Sequence, residues 1–469
     1  MSRLQGAYNV MPVAVQNLMV SVRGLANEPS RYGRQYREHR AFLQEFDCWP
    51  LEEKLRYQNE ELVRFVDYAI HHSPFYRELY SEMDTRAIRS VDDLAHLPVI
   101  DKEMLRANAS RLAAVPIRGS LEWHTGGTTG KSLVVRATPE DMMRRMAMLD
   151  HFKSRVGFEH RQMRRATFNG KHIVPPQRPR APFWRYNAAC KQLVLSPFHL
   201  TEENMGAYVD ALNEFRPLSI DGFFSCICDV ASFIERRGRK LSFHPVAIFP
   251  TSETLTEEGR SLIQRAFGCR VYDQYASSEG APFVTECSHG SMHVEHSSGV
   301  FETLNGDDEV LVTSFTTHGT PLIRYRIGDR MSFSELTTCE CGVESVRVER
   351  IEGRRLDFLY RSDGLKITAA YLNNLFKSIP NAIIRSQFVQ EHLGEVTMLI
   401  EVDSALYNPE YNSLLEVEFA RLFGPDTRLQ ILRVEEIPRE RSGKFRFVRN
   451  HLAESRQMHQ SETGSAVLT

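Results

Sequence analysis

Between residues 200 and 275, two stretches with helical spacing, 202–215 and 256–267, alternate with three short apolar stretches, 218–222, 246–250 and 270–272. Short apolar segments separated by helices are what βαβ units look like in sequence, so this region predicts an α/β fold built on a largely parallel sheet. Residues 299–335 break the pattern. They are strand-rich and turn-rich with no helical period, which predicts a mixed or barrel-like β subregion. Upstream, Leu55, Leu62, Phe65, Val66, Ala69 and Ile70 share one helical face, and Ser73-Pro74 ends the run. A helix also fits 139–156, with Glu140 and Asp141 at the positive end of its dipole, and Asp101 is placed to cap another helix start.

A chain of 469 residues, 42% hydrophobic, can bury one large core and a smaller one, so two domains are expected. The formal charge of −2 offers nothing to a polyanion, which excludes nucleic acid as an expected partner. No stretch of 18 apolar residues occurs, so no transmembrane segment is expected. The run 9–26 is interrupted by Gln16, Asn17 and Arg23 and reads as an amphipathic helix, packed on its own domain rather than on a partner or membrane surface. The eight cysteines are not spaced like a secreted disulfide scaffold, which fits reduced thiols and a cytoplasmic location.

Residues 121–136 read LEWHTGGTTGKSLVVR. Gly126, Gly127 and Gly130 let the backbone approach an anion, Thr125, Thr128, Thr129 and Ser132 offer hydroxyls, and Lys131 adds charge: a phosphate cradle by chemistry. A P-loop would need glycine in place of Thr125 and a helix after Lys131, whereas 133–136 is apolar and β-branched. The loop is therefore expected to join two strands. A plain Gly/Thr-rich hairpin turn has the same composition.

Three further segments follow in order: VYDQYASSEG at 271–280, PLIRYRIGDR at 321–330 and RSGKFRFV at 441–448. With HTGGTTGKS they resemble the adenylate-forming superfamily of acyl-CoA synthetases, peptide adenylation domains and luciferases. The likeness is closest to the phenylacetate-CoA ligase family, and within it to the branch named CapK found in capsule and exopolysaccharide gene clusters. It runs from about residue 45 to 450.

That resemblance implies a large N-terminal adenylate-forming domain, residues 51–352, behind an N-terminal helical extension, 1–50. A small mobile α+β lid domain, 353–453, and a disordered tail, 454–469, would complete the chain, with strands near 383–389, 395–402 and 429–434 and helices near 369–377 and 411–422 in the lid. Asp357 would be the hinge. Thr125 to Lys131 would grip the polyphosphate, although Gly126 stands where the family more often has serine. Glu279 would hold magnesium, a hard cation that prefers carboxylate and phosphate oxygens. Tyr275, with Ala276 and Ser277, would lie along the nucleotide, Asp329 would pair with both ribose hydroxyls, and Arg354 would reach the nucleotide from the hinge. Ser252 and Glu253 sit where the adenine-side loop is expected, though Ser-Glu-Thr equally suits a helix cap. Lys444 would bridge the substrate carboxylate and the α-phosphate, a role worth about 3 kcal/mol in the transition state. The acyl pocket would draw on residues 222–225 and 272–281, and Arg164, Arg165, Lys171 and His172 could meet an anionic or sugar-linked acceptor or form a solvated loop.

Cys287, His289 and His293 cluster about fifty residues before Cys339 and Cys341. Three thiolates and an imidazole suit a closed tetrahedral zinc site. By resemblance the ligands are Cys287, His293, Cys339 and Cys341, with His289 and then His296 as substitutes, and Cys226 and Cys228 belong to the core. The implied activity uses ATP and magnesium to turn a carboxylic acid into an acyl-adenylate, then passes the acyl group to coenzyme A, and the resemblance implies a setting in capsular or extracellular polysaccharide assembly. An amine acceptor giving an amide, or a non-catalytic zinc-containing scaffold, are the alternatives, and the oligomeric state stays open, a dimer included.

Overall fold

The computed structural model describes residues 3–116, 118–124, 134–171, 173–175, 178–304, 308–352, 358–364, 366–368, 372, 374–376, 382–439 and 445–452. Six strands form one sheet in the order Trp184–Asn187, Gln192–Leu195, Arg165–Phe168, Ser219–Phe223, Ala247–Thr251 and Arg270–Val271. Every neighbouring pair is parallel except the first, where Trp184–Asn187 runs antiparallel along the edge. The parallel register follows from the crossovers. Helices Met205–Phe215, Phe224–Arg236 and Glu257–Phe267 return the chain between strands, burying Leu212, Ile227, Val230 and Ile263 against Ile220 and Ile248. Each such side chain contributes about 2 kcal/mol on leaving water. The first of these helices starts at Met205, three residues later than the spacing suggested, because a turn closed by Asn204 N–H on the Thr201 carbonyl precedes it. Cys226 is fully buried in this core, and Cys228 packs against it, as expected.

A second sheet of seven antiparallel strands takes up the region read as barrel-like, in the order Gly299–Thr303, Glu309–Ser314, Leu322–Ser334, Arg347–Glu352, Met292–Val294, Val284–Glu286 and Gln274–Tyr275. Helix Leu51–His72 lays Leu62, Phe65 and Val66 against Val300, Val312, Leu322 and Tyr325 of this sheet. Its C-cap is Ser73, and Pro74 opens the next short helix, Pro74–Leu79. Helix Pro139–Ser154 begins with a capping box in which Thr138 and Asp141 satisfy each other's backbone N–H groups.

The C-terminal part has its own core of Phe388, Met398, Ile400, Leu415 and Phe419. Its four strands run in the order Arg428–Arg433, Glu395–Val402, Ile383–Gln390 and Val448–Asn450, with helix Glu410–Phe423 packed on them. Within the segment expected to be helical at 369–377, the structure describes a short 3-10 turn, Asn374–Phe376. The tail from 454 lies outside the described residues.

The N-terminal amphipathic run becomes two helices, Arg3–Val10 and Val13–Ala26, separated at Pro12. The second packs on the edge strand Trp184–Asn187, so it does lie on its own fold, but it does so with its polar side. Helix Arg34–Asp47 ends in a buried charge cluster. There Asp47 accepts from His151 Nε2 and Arg155 Nε, both at 2.8 Å, and Arg155 also pairs with Glu295.

Candidate active site and metal centre

The Gly/Thr loop is carried by a hairpin. Leu121–His124 pairs antiparallel with Val134–Ala137, matching Leu121 to Ala137 and His124 to Val134, so the loop joins two strands and opens no helix. Thr125, Gly126, Gly127, Thr128, Thr129, Gly130, Lys131 and Ser132 themselves lie outside the described residues. The hairpin stem is fixed to a turn of the antiparallel region. Arg136 N–H donates to Thr320 Oγ1 at 2.8 Å, and a Cβ on Gly319 would stand 2.5 Å from the Arg136 carbonyl oxygen. His318 meets Asp141 at 2.7 Å, which ties the same turn to the start of helix Pro139–Ser154.

Edge strand Gln274–Tyr275 leads into the Ser277–Gly280 turn. Ser277 Oγ accepts from the N–H groups of Gly280 (3.2 Å) and Ala281 (3.0 Å). Arg145, buried in helix Pro139–Ser154, donates to the carbonyls of Gly280 (3.0 Å) and Ala281 (2.9 Å) and to Thr316 Oγ1 (3.0 Å). Burial lowers its pKa to about 10. This scaffold holds Glu279 5% exposed, with Lys102 Nζ 3.4 Å from Oε1. Ala276 and Ser278 face outward.

Tyr275 donates its hydroxyl to Asp329 Oδ2 at 2.6 Å. Asp329 follows Gly328, whose φ of +85° bends the long strand Leu322–Ser334 where a side chain would be strained. Ile100 bridges the same strand, donating to the Arg324 carbonyl (3.1 Å) and accepting from Arg326 N–H (2.8 Å). Helix Lys102–Ala107 starts directly after it, with Met104 N–H on Asp101 Oδ1 at 2.8 Å as the expected cap. Two pairs, Tyr275–Asp329 and Lys102–Glu279, thus join the edge strand and the turn after it to the long strand and to this helix. Lys102 was not singled out from sequence, since Asp-Lys-Glu there reads as an ordinary helix start.

Ser252 and Glu253 follow the strand Ala247–Thr251, and Ser252 takes a left-handed φ of +71°. Glu253 is occupied by protein. Its oxygens accept from Ser225 N–H (2.6 Å), Ser225 Oγ (3.0 Å) and Phe445 N–H (2.9 Å). Burial raises its pKa. Beside it, Asp229 Oδ2 accepts from Arg385 Nη2 and Arg439 Nη2, both at 2.6 Å, and Arg385 also donates to the Leu200 carbonyl at 3.0 Å. The C-terminal part is therefore seated on the large one through a buried carboxylate shared by two guanidiniums. Phe445 is the residue after Lys444; Lys444, Arg354 and Asp357 lie outside the described residues.

Away from these residues, the ligand atoms of Cys287, His293, Cys339 and Cys341 all lie within 4.8 Å of one another. Cys287 and Cys339 sulfurs are 3.7 Å apart, and Cys341 Sγ is 3.5 Å from His293 Nε2. Tetrahedral Zn–S bonds of about 2.3 Å put two sulfurs about 3.8 Å apart, so the donor set fits that ion's size as well as its preference. His293 Nδ1 contacts Ser345 Oγ at 2.7 Å, which aims Nε2 at the thiols, and burial lowers the imidazole pKa to about 4, favouring the neutral ligand form. Turn N–H groups of His289 (3.3 Å) and Val343 (3.5 Å) point at the sulfurs of Cys287 and Cys341. The rings of His289 and His296 are engaged elsewhere, on Ser288 Oγ and Val346 N–H, so the cluster assembles around His293.

The architecture is that of the adenylate-forming ligases. A 2-hydroxyisobutyryl-CoA ligase solved in its postadenylation state with an acyl-adenylate superposes with a TM-score of 0.70 over 89% of this chain and 94% of its own, at 17% identity. The same ligase in its thioesterification state superposes at 0.52. Protein CapK from Staphylococcus aureus is 35% identical over 449 residues, 95% of this chain and 99% of that protein. The chain belongs to the CapK family, and residues 359–451 match the family described as the CapK C-terminal domain. An indoleacetate–lysine synthetase from Pseudomonas savastanoi is 30% identical over 134 residues, 27% of this chain and 33% of that protein.

Proposed function

We propose that this protein activates a carboxylic acid with ATP, releasing pyrophosphate and holding an acyl-adenylate for transfer to an acceptor. The observation that carries the reading is the Tyr275–Asp329 bond together with the buried Glu279–Lys102 pair, in a chain with this fold and motif order. In it, Asp329 receives the ribose hydroxyls with its carboxylate fixed by Tyr275, and the Thr125–Lys131 loop takes the polyphosphate. Glu279 would hold magnesium, whose bound charge offsets that of the departing pyrophosphate, with Lys102 giving up its 3.4 Å pairing to that carboxylate. Lys444 neutralises charge as the acid's oxygen attacks the α-phosphate. Arg354 completes the nucleotide site and Asp357 is the hinge about which residues 353–453 turn before acyl transfer.

Coenzyme A is the proposed acceptor, since the superposed ligase acts with it. The indoleacetate–lysine synthetase likeness favours an amine as a second acceptor. Cys287, His293, Cys339 and Cys341 hold a structural zinc. The setting is cytoplasmic, in surface-polysaccharide assembly. Pyrophosphate release with ATP and magnesium over aryl, fatty and sugar-derived acids, with Lys444→Ala alongside, tests the reading. Acid-dependent release lost in the variant supports it; no release with any acid from folded, zinc-loaded protein moves the scaffold reading forward.

A further inference from the structure

Helix Val13–Ala26 is mounted with its amphipathicity reversed. Its inner side carries Gln16, Asn17, Ser21 and Gly24, and these groups are committed to the edge strand Trp184–Asn187 and the turn after it. Arg185 Nε donates to Gln16 Oε1 (2.5 Å), Tyr186 N–H to Asn17 Oδ1 (3.0 Å) and Ala188 N–H to Ser21 Oγ (2.9 Å). A Cβ on Gly24 would stand 2.6 Å from Asn187 Oδ1, so the helix is also sterically seated there. Rotating it to hide apolar surface would strip hydrogen bonds from the sheet edge. The outer side therefore presents Val15, Leu18, Met19, Val22 and Leu25, of which Leu18 is 63% exposed, and Val10 continues the stripe.

The charge around this stripe is one-sided. Residues 1–27 contain Arg3 and Arg23 and no acid, and residues 160–201 contain eight arginines and lysines and no acid; of the eight, Arg161 pairs with Glu28, Arg165 pairs with Asp221 and Arg185 is buried beneath the helix, so the surface excess rests on the others. The fold brings the two stretches together: Tyr8 OH donates to the Ile173 carbonyl (2.7 Å), besides the bonds to residues 185–188. Lys171, Arg180 and Lys191 are exposed in the second stretch, and the pKa of Lys171 is lowered first by partial desolvation of its ammonium and then by the nearby Arg31 and Arg23. An apolar helical face rimmed by cations is complementary to an anionic lipid surface, where side chains such as these enter the acyl boundary and the cations meet headgroups.

We propose that this face docks the protein on anionic membrane surfaces, with the helix Val13–Ala26 lying in the interface. Flotation of the full-length protein with vesicles of phosphatidylcholine alone, or of phosphatidylcholine with phosphatidylglycerol, tests it. The wild type is expected to float with the anionic vesicles, to stay behind with the neutral ones, and to be released by high salt. The double variant Leu18→Glu/Val22→Glu is expected to lower binding at least about tenfold. A second variant, Arg23→Gln/Lys171→Gln/Arg180→Gln, is expected to lower it about a hundredfold. All five positions are exposed or project from the surface, and unchanged melting temperatures identify any variant that has lost its fold. Absence of wild-type flotation, equal flotation with neutral vesicles, or full binding by the glutamate variant each overturns the proposal. A concentration-dependent dimer that the glutamate variant breaks, with no vesicle capture, assigns the face to a second copy of the chain instead.

Discussion

The hydroxyl of Tyr275 and the carboxylate of Asp329 are joined at 2.6 Å, although 54 residues separate them. One stands on the edge strand of the seven-stranded sheet and the other just past the bend in its longest strand. The bond orients an acceptor that the proposed chemistry needs for the ribose.

Tyr275→Phe keeps the ring and its contacts while removing that donor. A hydrogen bond to a charged group is worth about 1.5 kcal/mol, so KM for ATP is expected to rise about tenfold with kcat little altered. Steady-state pyrophosphate release at varied ATP measures it. An unchanged KM would mean that Asp329 is oriented by its other contacts.

Asp229 gives a second prediction, this one about how the two parts are held together. It is buried, and both guanidiniums it receives come from the C-terminal part. Asp229→Ala leaves Arg385 and Arg439 sharing no carboxylate there, a loss of about 3 kcal/mol of docking. Limited proteolysis is expected to cut between the two parts faster, and pyrophosphate release to slow, while Asp229→Asn shows a smaller effect on both. Proteolysis at the wild-type rate in Asp229→Ala would show that the seating rests on other contacts.

Much of the fold was legible because period and punctuation were local. The alternation through 218–272 marked three of the parallel strands, whereas Arg165–Phe168 and Gln192–Leu195 were not read as strands, and Asp141, Asp101 and Ser73 marked helix ends as their chemistry requires. Helix Phe224–Arg236 was hidden because its start, Phe223-Phe224-Ser225-Cys226, is apolar on several sides and reads as strand or pocket lining. Two relationships could not be read at all. Glu253 meets Phe445 across 192 residues, and nothing local at Ser-Glu-Thr distinguishes a nucleotide loop from a clamp. The helix Val13–Ala26 showed an apolar face in sequence, but amphipathicity alone does not say which face the fold will use. That was decided by the donors on an unpaired strand edge at Tyr186 and Ala188.

A pH dependence follows from the buried cluster under the parallel sheet. Asp221 pairs with Lys153 (2.7 Å) and Arg165 (3.2 Å) and accepts from Thr167. Although burial opposes its ionisation, the pull of Lys153 and Arg165 lowers its pKa from 3.8 to about 2. A folded pKa below the unfolded one means the stabilisation is present above the unfolded value and is lost as pH falls through the folded one. Asp221 is thus expected to contribute about 2 kcal/mol at neutral pH that fades between about pH 4 and pH 2. Urea melts of wild type and Asp221→Asn should differ at neutral pH and converge toward pH 2; a constant difference across that range would contradict the linkage.

The metal centre separates its histidines cleanly. His293 Nε2 lies 3.5 Å from Cys341 Sγ with Ser345 on its other nitrogen, whereas His289 turns its ring to Ser288 and contributes only a backbone N–H to Cys287. If the four-ligand set is closed, purified protein carries about one zinc per chain, His293→Ala and Cys339→Ser lose most of it, and His289→Ala keeps it. Elemental analysis after dialysis reads the stoichiometry, and thermal melts with and without chelator read the consequence. Because Cys339 and Cys341 sit in the loop between the strands Leu322–Ser334 and Arg347–Glu352, stripping the ion should loosen the far side of the sheet that carries Asp329. Melting temperature is therefore expected to fall by several degrees in the His293 and Cys339 variants and on chelation of wild type, with no further fall when the variants are treated with chelator. Zinc retained by His293→Ala but lost by His289→Ala would reassign the fourth ligand.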